Sequence, residues 1–550
     1  MQNFPSSHGI QQPSQPIMIN GTCMCCDNLL SYPNTVPAFR CTVCSTITDL
    51  IPLKQPNDLW LNLELLNSAF PSNEDSEFDL VALREEFRRL SLQNIDLTEK
   101  FLTLLTRPGK RLVTIHDIRF IFIILEYPLP KINQEKEILL LTKVFGLLAF
   151  LQNNALHSTV VQWFKSLSLP IFLERVDRCN LIITKLLMSV RNEYPHDWRV
   201  KSCSKVMALY FAANNKREEK ISLSNFYNIS VDYLDIIQDF SDWQKERSNH
   251  FAFCQYPFLI SLGGKIKILD QDAKRQMGIK FKEAFLRTAT RNQLIDPFLT
   301  LRIRRDYLIQ DSLNQLSAHE VDLKKKLRIE FADEEGVDVG GLTKEWFQLL
   351  VRDLFSEKFG MFTFDEDSQL CWFNPASFES HGEFLLVGTI IGLAIYNSTI
   401  LNVHFPLACY KKLLGGKPNL DDLLILKPQV GKGLKQLLEY SEPDLEDVFC
   451  LTFEASYQKF GETVTVPFVP NGHLIPVTHE NKIEYVNLYV NYIFNTSVHD
   501  QFEAFKSGFY HVCGGNPLSL FRAEEIELMV VGGTDIDLKG LESVTEYEGF

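Results

Sequence analysis

Four cysteines near the amino terminus have the spacing of metal ligands. Two residues separate Cys23 from Cys26, and Cys41 and Cys44 repeat that spacing after a gap of fourteen residues. Each pair can present two thiolates from one tight turn, and two such turns complete a tetrahedral site that suits zinc. Four thiolates leave no position for a reacting water, so the predicted zinc is structural and supplies most of the folding free energy of this segment. Two alternatives stay open: Cys25 as a ligand in place of Cys26, or four buried thiols without a metal.

Four cysteines in the second half of the chain are candidates for a nucleophile. A thiol becomes reactive at neutral pH when a basic side chain, a histidine or a helix N-terminus lowers its pKa. None of the four is directly flanked by a basic residue or a histidine, and the histidines of this region form no recognisable pair with them. We therefore interpret these residues as structural thiols: Cys371, Cys409, Cys450 and Cys513.

The bulk composition limits the class of protein. The chain has 550 residues, a net charge of −14 and 45% hydrophobic residues, which is enough for several globular domains. The acidic balance argues against nucleic-acid binding, and residues 21–50 contain only three charged side chains, Asp27, Arg40 and Asp49. No secretory signal and no apolar run of about 20 residues is present, so we expect no membrane span. An intracellular protein follows, cytoplasmic or nuclear or both, with reduced thiols.

The chain divides into four predicted regions. Residues 1–20 are rich in Gln, Pro and Ser and predict a disordered tail, whereas residues 21–50 form the zinc ribbon. Residues 76–290 show helical spacing of apolar groups, for example over 78–90 and 138–151, and predict an α-helical domain without a fixed repeat. Residues 291–550 mix helical and strand patterns, so the predicted class is α+β, mostly helical.

The most apolar stretch, residues 384–396, predicts a buried helix. It is too short to cross a bilayer, and Ser380 with Glu383 has the pattern of a capping box at its start. Gly388 and Gly392 stand one turn apart and would let another element approach closely.

Shorter patterns around this helix predict its neighbours. Thr343 is the expected N-cap of another amphipathic helix. Residues 361–364 and 370–373 alternate across a polar turn and predict a β-hairpin.

Residues 430–489 carry a third set of patterned apolar side chains. Val430, Leu434 and Leu437 form a stripe on a short helix, and Tyr485 and Tyr489 stand one turn apart on another. Between them lies an acidic segment, 441–447, and then an alternating segment, 448–453, that predicts a strand. From their spacing alone, these apolar residues belong to a core.

Several motifs, in one order, resemble a known family. FNPASF at 373–378, GLAIYNSTILNVHFP at 392–406 and YKKLLGGKPNLDDL at 410–423 are similar to the larger, amino-terminal lobe of the HECT-type ubiquitin-protein ligases. The resemblance is to the branch near the papillomavirus-E6-associated ligase, in a fungal-type arrangement with an N-terminal zinc ribbon. It covers residues 291–550.

The resemblance implies a partner and a site. In such ligases a small subdomain, about 415–500 here, holds a ubiquitin-conjugating enzyme in an apolar groove, and this changes the interpretation of the stripe from core to partner surface. The matching positions of this chain are Val430, Leu434, Leu437, Tyr440, Phe449, Leu451, Tyr485 and Tyr489.

The resemblance also implies a reaction. Ubiquitin passes from the conjugating enzyme to a ligase cysteine as a thioester, and then to a lysine of an unknown protein substrate. That cysteine lies in a Thr-Cys-Phe-Asn segment of a second lobe, which is absent from these residues; residues 545–550 resemble the hinge between the lobes. We therefore expect this chain alone to be inactive. The alternatives are an inactive scaffold or competitor that binds conjugating enzymes, and a zinc-dependent regulator with a helical body.

Overall fold

The computed structural model describes most of the chain from residue 154 onward and shorter pieces before it. The described residues are 18–22, 29–33, 38–41, 47–49, 85, 87, 88, 98–106, 115–127, 135–149, 151, 154–245, 251–291, 295–336, 338–459, 462–533, 542 and 545. They fall into two compact units, residues 1–264 and 265–550. The predicted disordered tail at 1–20 lies outside the described residues except for 18–20.

The first unit begins with two short antiparallel hairpins. Strand β1 (Met18–Thr22) pairs with β2 (Leu29–Pro33), and β3 (Ala38–Arg40) pairs with β4 (Ile47–Asp49). The rings of Tyr32 and Phe39, one from each hairpin, are buried and stacked with centroids 4.5 Å apart. This aromatic contact joins the two hairpins.

The other described elements of the first unit are helices. Its helices are α1 (Thr98–Thr106), α2 (Ile115–Glu126), α3 (Glu135–Ala149), α4 (Asn154–Ser166), α5 (Leu169–Val190), α6 (Trp198–Lys216), α7 (Ile229–Asp232) and α8 (Ile236–Lys245). Helix α6 is buried on nearly all sides, and the ring of Tyr210 stacks on Phe164 of α4 with centroids 3.8 Å apart. Asn228 fixes the start of α7 against α5, because its side-chain amide donates to the Asn180 carbonyl at 3.0 Å. The helix predicted over 138–151 is α3; the one predicted over 78–90 lies largely outside the described residues.

The second unit combines helices with small sheets. Its helices are α9 (Leu262–Arg291, from Lys265 onward), α10 (Leu308–Ala318), α11 (Gly341–Leu354), α12 (His381–Tyr396), α13 (Leu407–Leu413), α14 (Leu420–Leu426), α15 (Pro428–Glu439), α16 (Leu445–Phe449), α17 (Lys482–Phe494), α18 (His499–Cys513) and α19 (Ala523–Val531). Strands β5 (Phe298–Ile303) and β6 (Lys326–Phe331) pair in parallel. Strands β7 (Phe362–Phe364) and β8 (Cys371–Phe373) pair antiparallel, as do β9 (Glu454–Lys459) and β10 (Glu462–Pro467).

The centre of the second unit is the contact between α12 and α18. Helix α12 is buried from Leu386 to Tyr396, as its composition predicts. A Cβ atom on Gly388 would lie 1.8 Å from the Phe505 carbonyl oxygen, and one on Gly508 would lie 2.0 Å from the Leu385 carbonyl oxygen. The two helices therefore touch backbone to backbone, and the prediction that Gly388 admits a close neighbour is confirmed.

Two local predictions about helix starts are wrong in detail. Gly340, with φ of 110°, is the N-cap of α11, and Thr343 lies inside the first turn, where Asp338 accepts hydrogen bonds from its hydroxyl and from the Gly340 amide. A preceding carboxylate therefore replaces the threonine as the capping acceptor. Ser380 does cap α12, accepting from the Gly382 amide at 3.2 Å, but its hydroxyl donates to Glu383 and the reciprocal box is not formed.

The described residues form a mostly helical α+β fold, as predicted, and the hairpin of β7 and β8 is confirmed. Each described sheet has two strands, so helices provide most of the core. No helix in the described ranges is both long and apolar enough to cross a membrane.

Candidate functional site

Helices α14 and α15 form the base of a small subdomain. Asn419 and Asp422 make a complete capping box at the start of α14, and Pro428 occupies the first turn of α15. Gly431 brings the helices together, because a Cβ atom there would lie 2.6 Å from the Leu424 Cα. The orientation of α15, which carries the apolar stripe, is thus fixed by backbone packing.

Lys482, at the start of α17, caps the C-terminal end of α15. Its ammonium donates at 2.8 Å to the Leu438 carbonyl in the last turn of α15 and at 2.7 Å to the carbonyl of Tyr440, the residue that directly follows the helix. A cation at a helix C-terminus also compensates the partial negative charge there. The acidic segment 441–447 is also held in position, because a His479 ring nitrogen lies 2.7 Å from the Glu442 carbonyl oxygen.

The strand predicted over 448–453 is wrong. Residues Leu445–Phe449 form helix α16, and Cys450 ends it with a left-handed φ of 48°. Glu446 and Asp447 stand in its first turn, where carboxylates stabilise a helix, and Leu445 is its buried anchor. The alternation of apolar residues is therefore split between one face of a short helix and the extended residues that follow it.

Helix α16 places Phe449 beside Tyr440. Their ring centroids are 5.3 Å apart in an edge-to-face arrangement. The Tyr440 hydroxyl donates to Asp444 at 2.7 Å, and this hydrogen bond raises the pKa of Tyr440 to about 12. The tyrosine is held as a neutral donor with its ring against the phenylalanine.

A second aromatic cluster holds α17 against the segment after α16. Phe468 contacts both Tyr485 and Tyr489, with ring centroids 5.8 and 5.7 Å away, and Phe453 contacts Tyr485 at 5.5 Å. The Leu451 carbonyl accepts from the Val477 amide at 2.9 Å. Aromatic packing and backbone pairing thus bring Leu451 and Tyr489 into one subdomain with α15.

The eight predicted groove residues lie in this subdomain and fall into two groups by burial. Leu434, Leu437 and Tyr485 are 5%, 0% and 2% exposed, so they form a floor within the core. Half-buried side chains form the outer layer, which we call the docking face: Val430, Tyr440, Phe449, Leu451 and Tyr489.

One exposed residue beside the docking face was not predicted as part of the site. Val448 on α16 is 54% exposed, next to Phe449. Val448 was missed because residues 448–453 were predicted to be a strand, whereas Val448 belongs to helix α16. Exposed carboxylates surround it, namely Glu442, Asp444, Glu446 and Asp447.

Three of the four candidate thiols of the second unit have a raised pKa. Burial raises the pKa of Cys371 and that of Cys513 to about 12, and raises that of Cys409 well above its ordinary value. Cys450 is exposed, and its thiol lies 3.2 Å from the Asp447 carbonyl oxygen. A thiol whose pKa lies well above 7 is almost entirely protonated at neutral pH and is therefore a poor nucleophile.

The predicted zinc ligands are only partly covered by the structure. Cys23, Cys26 and Cys44 lie outside the described residues, whereas Cys41 is buried directly after β3. No group of three metal-ligating side chains occurs among the residues that the structure describes, a set that lacks three of these four cysteines. The metal prediction therefore stays a prediction.

The fold and the surface define a mostly helical α+β protein with a small subdomain that presents an aromatic, half-buried face. A model of the HECT-domain (ubiquitin-transferase) matches residues 348–550. The chain is 34% identical to the probable E3 ubiquitin-protein ligase HECTD2 of Mus musculus, over 94% of this chain and 69% of that protein. It is 33% identical to the probable E3 ubiquitin-protein ligase mug30 of Schizosaccharomyces pombe, over 96% of this chain and 75% of that protein.

These similarities extend well beyond the matched domain. The chain belongs to the family of HECT-type E3 ubiquitin-protein ligases, as the sequence motifs indicate. It is also 38% identical to the probable E3 ubiquitin-protein ligase HERC4 of Homo sapiens, over 70% of this chain but 39% of that protein. For human HECTD2 the share covered is 60% of that protein's length.

Proposed function

We propose that the docking face binds a ubiquitin-conjugating enzyme and that the protein takes part in ubiquitin transfer to substrate lysines. The observation that carries this proposal is the difference in burial: the aromatic and aliphatic side chains of the docking face are half-buried, whereas those of the floor are fully buried. Aromatic residues set on a rigid, well-packed base are typical of the energetic centre of protein interfaces. Membership of the HECT-type family supports the choice of partner.

The transfer itself needs a thiolate, and the buried thiols of the second unit do not supply one. We propose that ubiquitin is carried as a thioester on a cysteine other than Cys371, Cys409, Cys450 and Cys513. Covalent transfer divides one difficult acyl transfer into two easier steps. The docking face would hold the conjugating enzyme while its thioester is attacked, and the buried thiols of Cys371 and Cys409 would serve only in packing.

The alternative is a scaffold or competitor that binds charged conjugating enzymes without accepting ubiquitin. Its support is that burial raises the pKa of Cys371 and of Cys513, which makes both poor acceptors of ubiquitin. Mixing the chain with ubiquitin-charged conjugating enzymes separates the two. Binding without a reducible adduct supports the scaffold, and an adduct abolished by a single Cys→Ser change identifies the accepting residue and contradicts our assignment of the thiols.

Docking is tested by truncating the outer layer without touching the floor. Phe449→Ala should weaken binding of the conjugating enzyme by tenfold or more, since truncation of a central aromatic residue costs about 2 kcal/mol or more. Ile400→Ala is the matched control, because Ile400 is 63% exposed and lies beside Gly532, outside the docking face. Equal binding of the two variants, with unchanged thermal unfolding, would exclude this face as the site.

We also propose a structural zinc held by Cys23, Cys26, Cys41 and Cys44. The support is the position of the cysteines relative to the hairpins. Cys23 and Cys26 come between β1 and β2 in the chain, and Cys41 directly follows β3. Metal analysis of the purified chain should find one zinc per chain, lost in Cys41→Ser and retained in Cys25→Ser. A zinc-free chain with intact hairpins would show that the cysteines only pack, and loss of zinc in Cys25→Ser would assign Cys25 as the ligand.

A further inference from the structure

A cavity of about 130 Å³ lies between α10, α12 and α18 in the second unit. Its walls are mainly leucine side chains, of which Leu313 and Leu316 come from α10 and Leu386 from α12. Four polar residues complete the lining: Ser317 on α10, Glu320 after α10, Thr389 on α12 and His511 on α18. None of these residues belongs to the docking face.

The walls of this cavity are held in place independently of any ligand. Helices α12 and α18 contact each other through backbone atoms at Gly388 and Gly508 and cannot move closer. Helix α10 is held by the Trp346 indole, which donates to the Ser312 hydroxyl at 3.0 Å in the core. A space bounded by elements that are fixed elsewhere does not collapse, and such preformed pockets are typical of ligand sites.

Two of these polar residues, Thr389 and Glu320, offer acceptors to a ligand. The Thr389 hydroxyl donates its proton to the Leu385 carbonyl at 2.9 Å, which leaves its lone pairs directed elsewhere. At the mouth, His511 Nδ1 lies 3.2 Å from one oxygen of Glu320, whose side chain is 61% exposed. A carboxylate has two oxygens, so Glu320 can accept another hydrogen bond while it contacts the histidine.

We propose that this cavity binds one aromatic ring that carries a single hydrogen-bond donor, as in a phenol. The size fits, because an apolar cavity of about 150 Å³ in another protein binds benzene. The leucines would surround the ring, and the donor would reach Glu320 at the mouth. A carboxylate ligand is disfavoured because it would meet the Glu320 charge, and a ring without a donor gains only apolar contact.

The same chemistry has two sources, a free small phenol or the tyrosine side chain of a partner polypeptide. Glu320 is exposed at the mouth, so either can approach from solvent. The site lies apart from the docking face, so the proposal stands whether or not the conjugating enzyme docks there.

Ligand-observed NMR titration of the full chain tests the proposal. Phenol should bind with a Kd on the order of 1 mM, as expected for a fragment of this size. Anisole, in which a methyl group replaces the donor proton, should bind about tenfold more weakly, and so should phenol to Glu320→Ala. N-acetyltyrosinamide distinguishes the sources: binding comparable to phenol supports a side chain, and binding of phenol alone supports a free ligand.

A cavity-filling variant locates the site. Leu313→Phe should reduce phenol affinity tenfold or more, whereas Leu528→Phe, the same change at a 46% exposed position on α19, should leave it unchanged. If Leu313→Phe does not fold, Glu320→Ala at the exposed mouth still decides the question. No phenol binding, equal binding of phenol and anisole, or full affinity in Glu320→Ala overturns the proposal.

Discussion

Gly508 is the position where one added methyl group should separate two central helices. A Cβ atom there would lie 2.0 Å from the Leu385 carbonyl oxygen and 2.9 Å from the Thr389 amide nitrogen, both of them backbone atoms of α12. Ordinary contact for a Cβ atom begins at 3.4 Å, so the backbones must move apart by more than an ångström. Overpacking costs about 1–3 kcal/mol where side chains can give way. Here the contacted atoms belong to the backbone of α12 and cannot give way as side chains do. We therefore expect Gly508→Ala to lower the free energy of unfolding by about 3 kcal/mol or more.

Gly278 on α9 provides the matched control for this prediction. It is exposed, and a Cβ atom there would meet nothing within 4 Å. Alanine in place of glycine inside a helix stabilises by about 0.5–1 kcal/mol, so Gly278→Ala should not destabilise the chain. Urea unfolding followed by circular dichroism compares the midpoints of the two variants with the wild type. An unchanged midpoint for Gly508→Ala would refute the backbone contact between α12 and α18.

Three further predictions concern buried and exposed reactive groups. Lys265 donates to Glu525 at 2.6 Å with both side chains 1% exposed, so Lys265→Met should destabilise by about 3–5 kcal/mol in urea unfolding, and adding Glu525→Gln should recover part of the loss. Burial lowers the pKa of Lys412 from 10.5 to about 8. Between these two pH values Lys412 is protonated in the unfolded chain but mostly neutral in the folded chain. Stability should therefore rise with pH across that window, and the rise should be absent from urea midpoints of Lys412→Met. Iodoacetamide should modify exposed Cys450 in the native chain but reach buried Cys371 only after unfolding, as peptide mass spectrometry would detect; early modification of Cys371 would contradict its burial.

The sequence predicts the central helix well because its signal is local. A long apolar run, a serine at its start and glycines one turn apart specify α12 and its need for a close neighbour. The identity of that neighbour is not local information. Gly508 lies more than a hundred residues further along the chain, and the pattern of α18 alone does not show which of its faces meets α12.

The errors have a common physical origin in short segments. Residues 448–453 alternate as a strand would, yet carboxylates in the preceding turn and the buried Leu445 favour one helical turn. Similarly, Thr343 is a good N-cap by type, but Asp338 in the preceding loop accepts from the Gly340 and Thr343 amides, and the helix begins before Thr343. Over four to six residues, local propensities are too weak to decide between such alternatives.

The stripe on α15 shows why core and partner surface are not competing interpretations of the same residues. Leu434 and Leu437 turn into the core, and Val430 and Tyr440, at either end of the stripe, stay half-exposed. A periodic pattern identifies the apolar side of a helix but not how much of that side is covered. Changes at Leu434 therefore report on folding, whereas Tyr489, half-buried in the outer layer, can report on docking. A double change of Leu434 and Tyr489 would mix the two effects, so the two residues should be altered separately, with loss of stability assigned to the floor and loss of binding to the face.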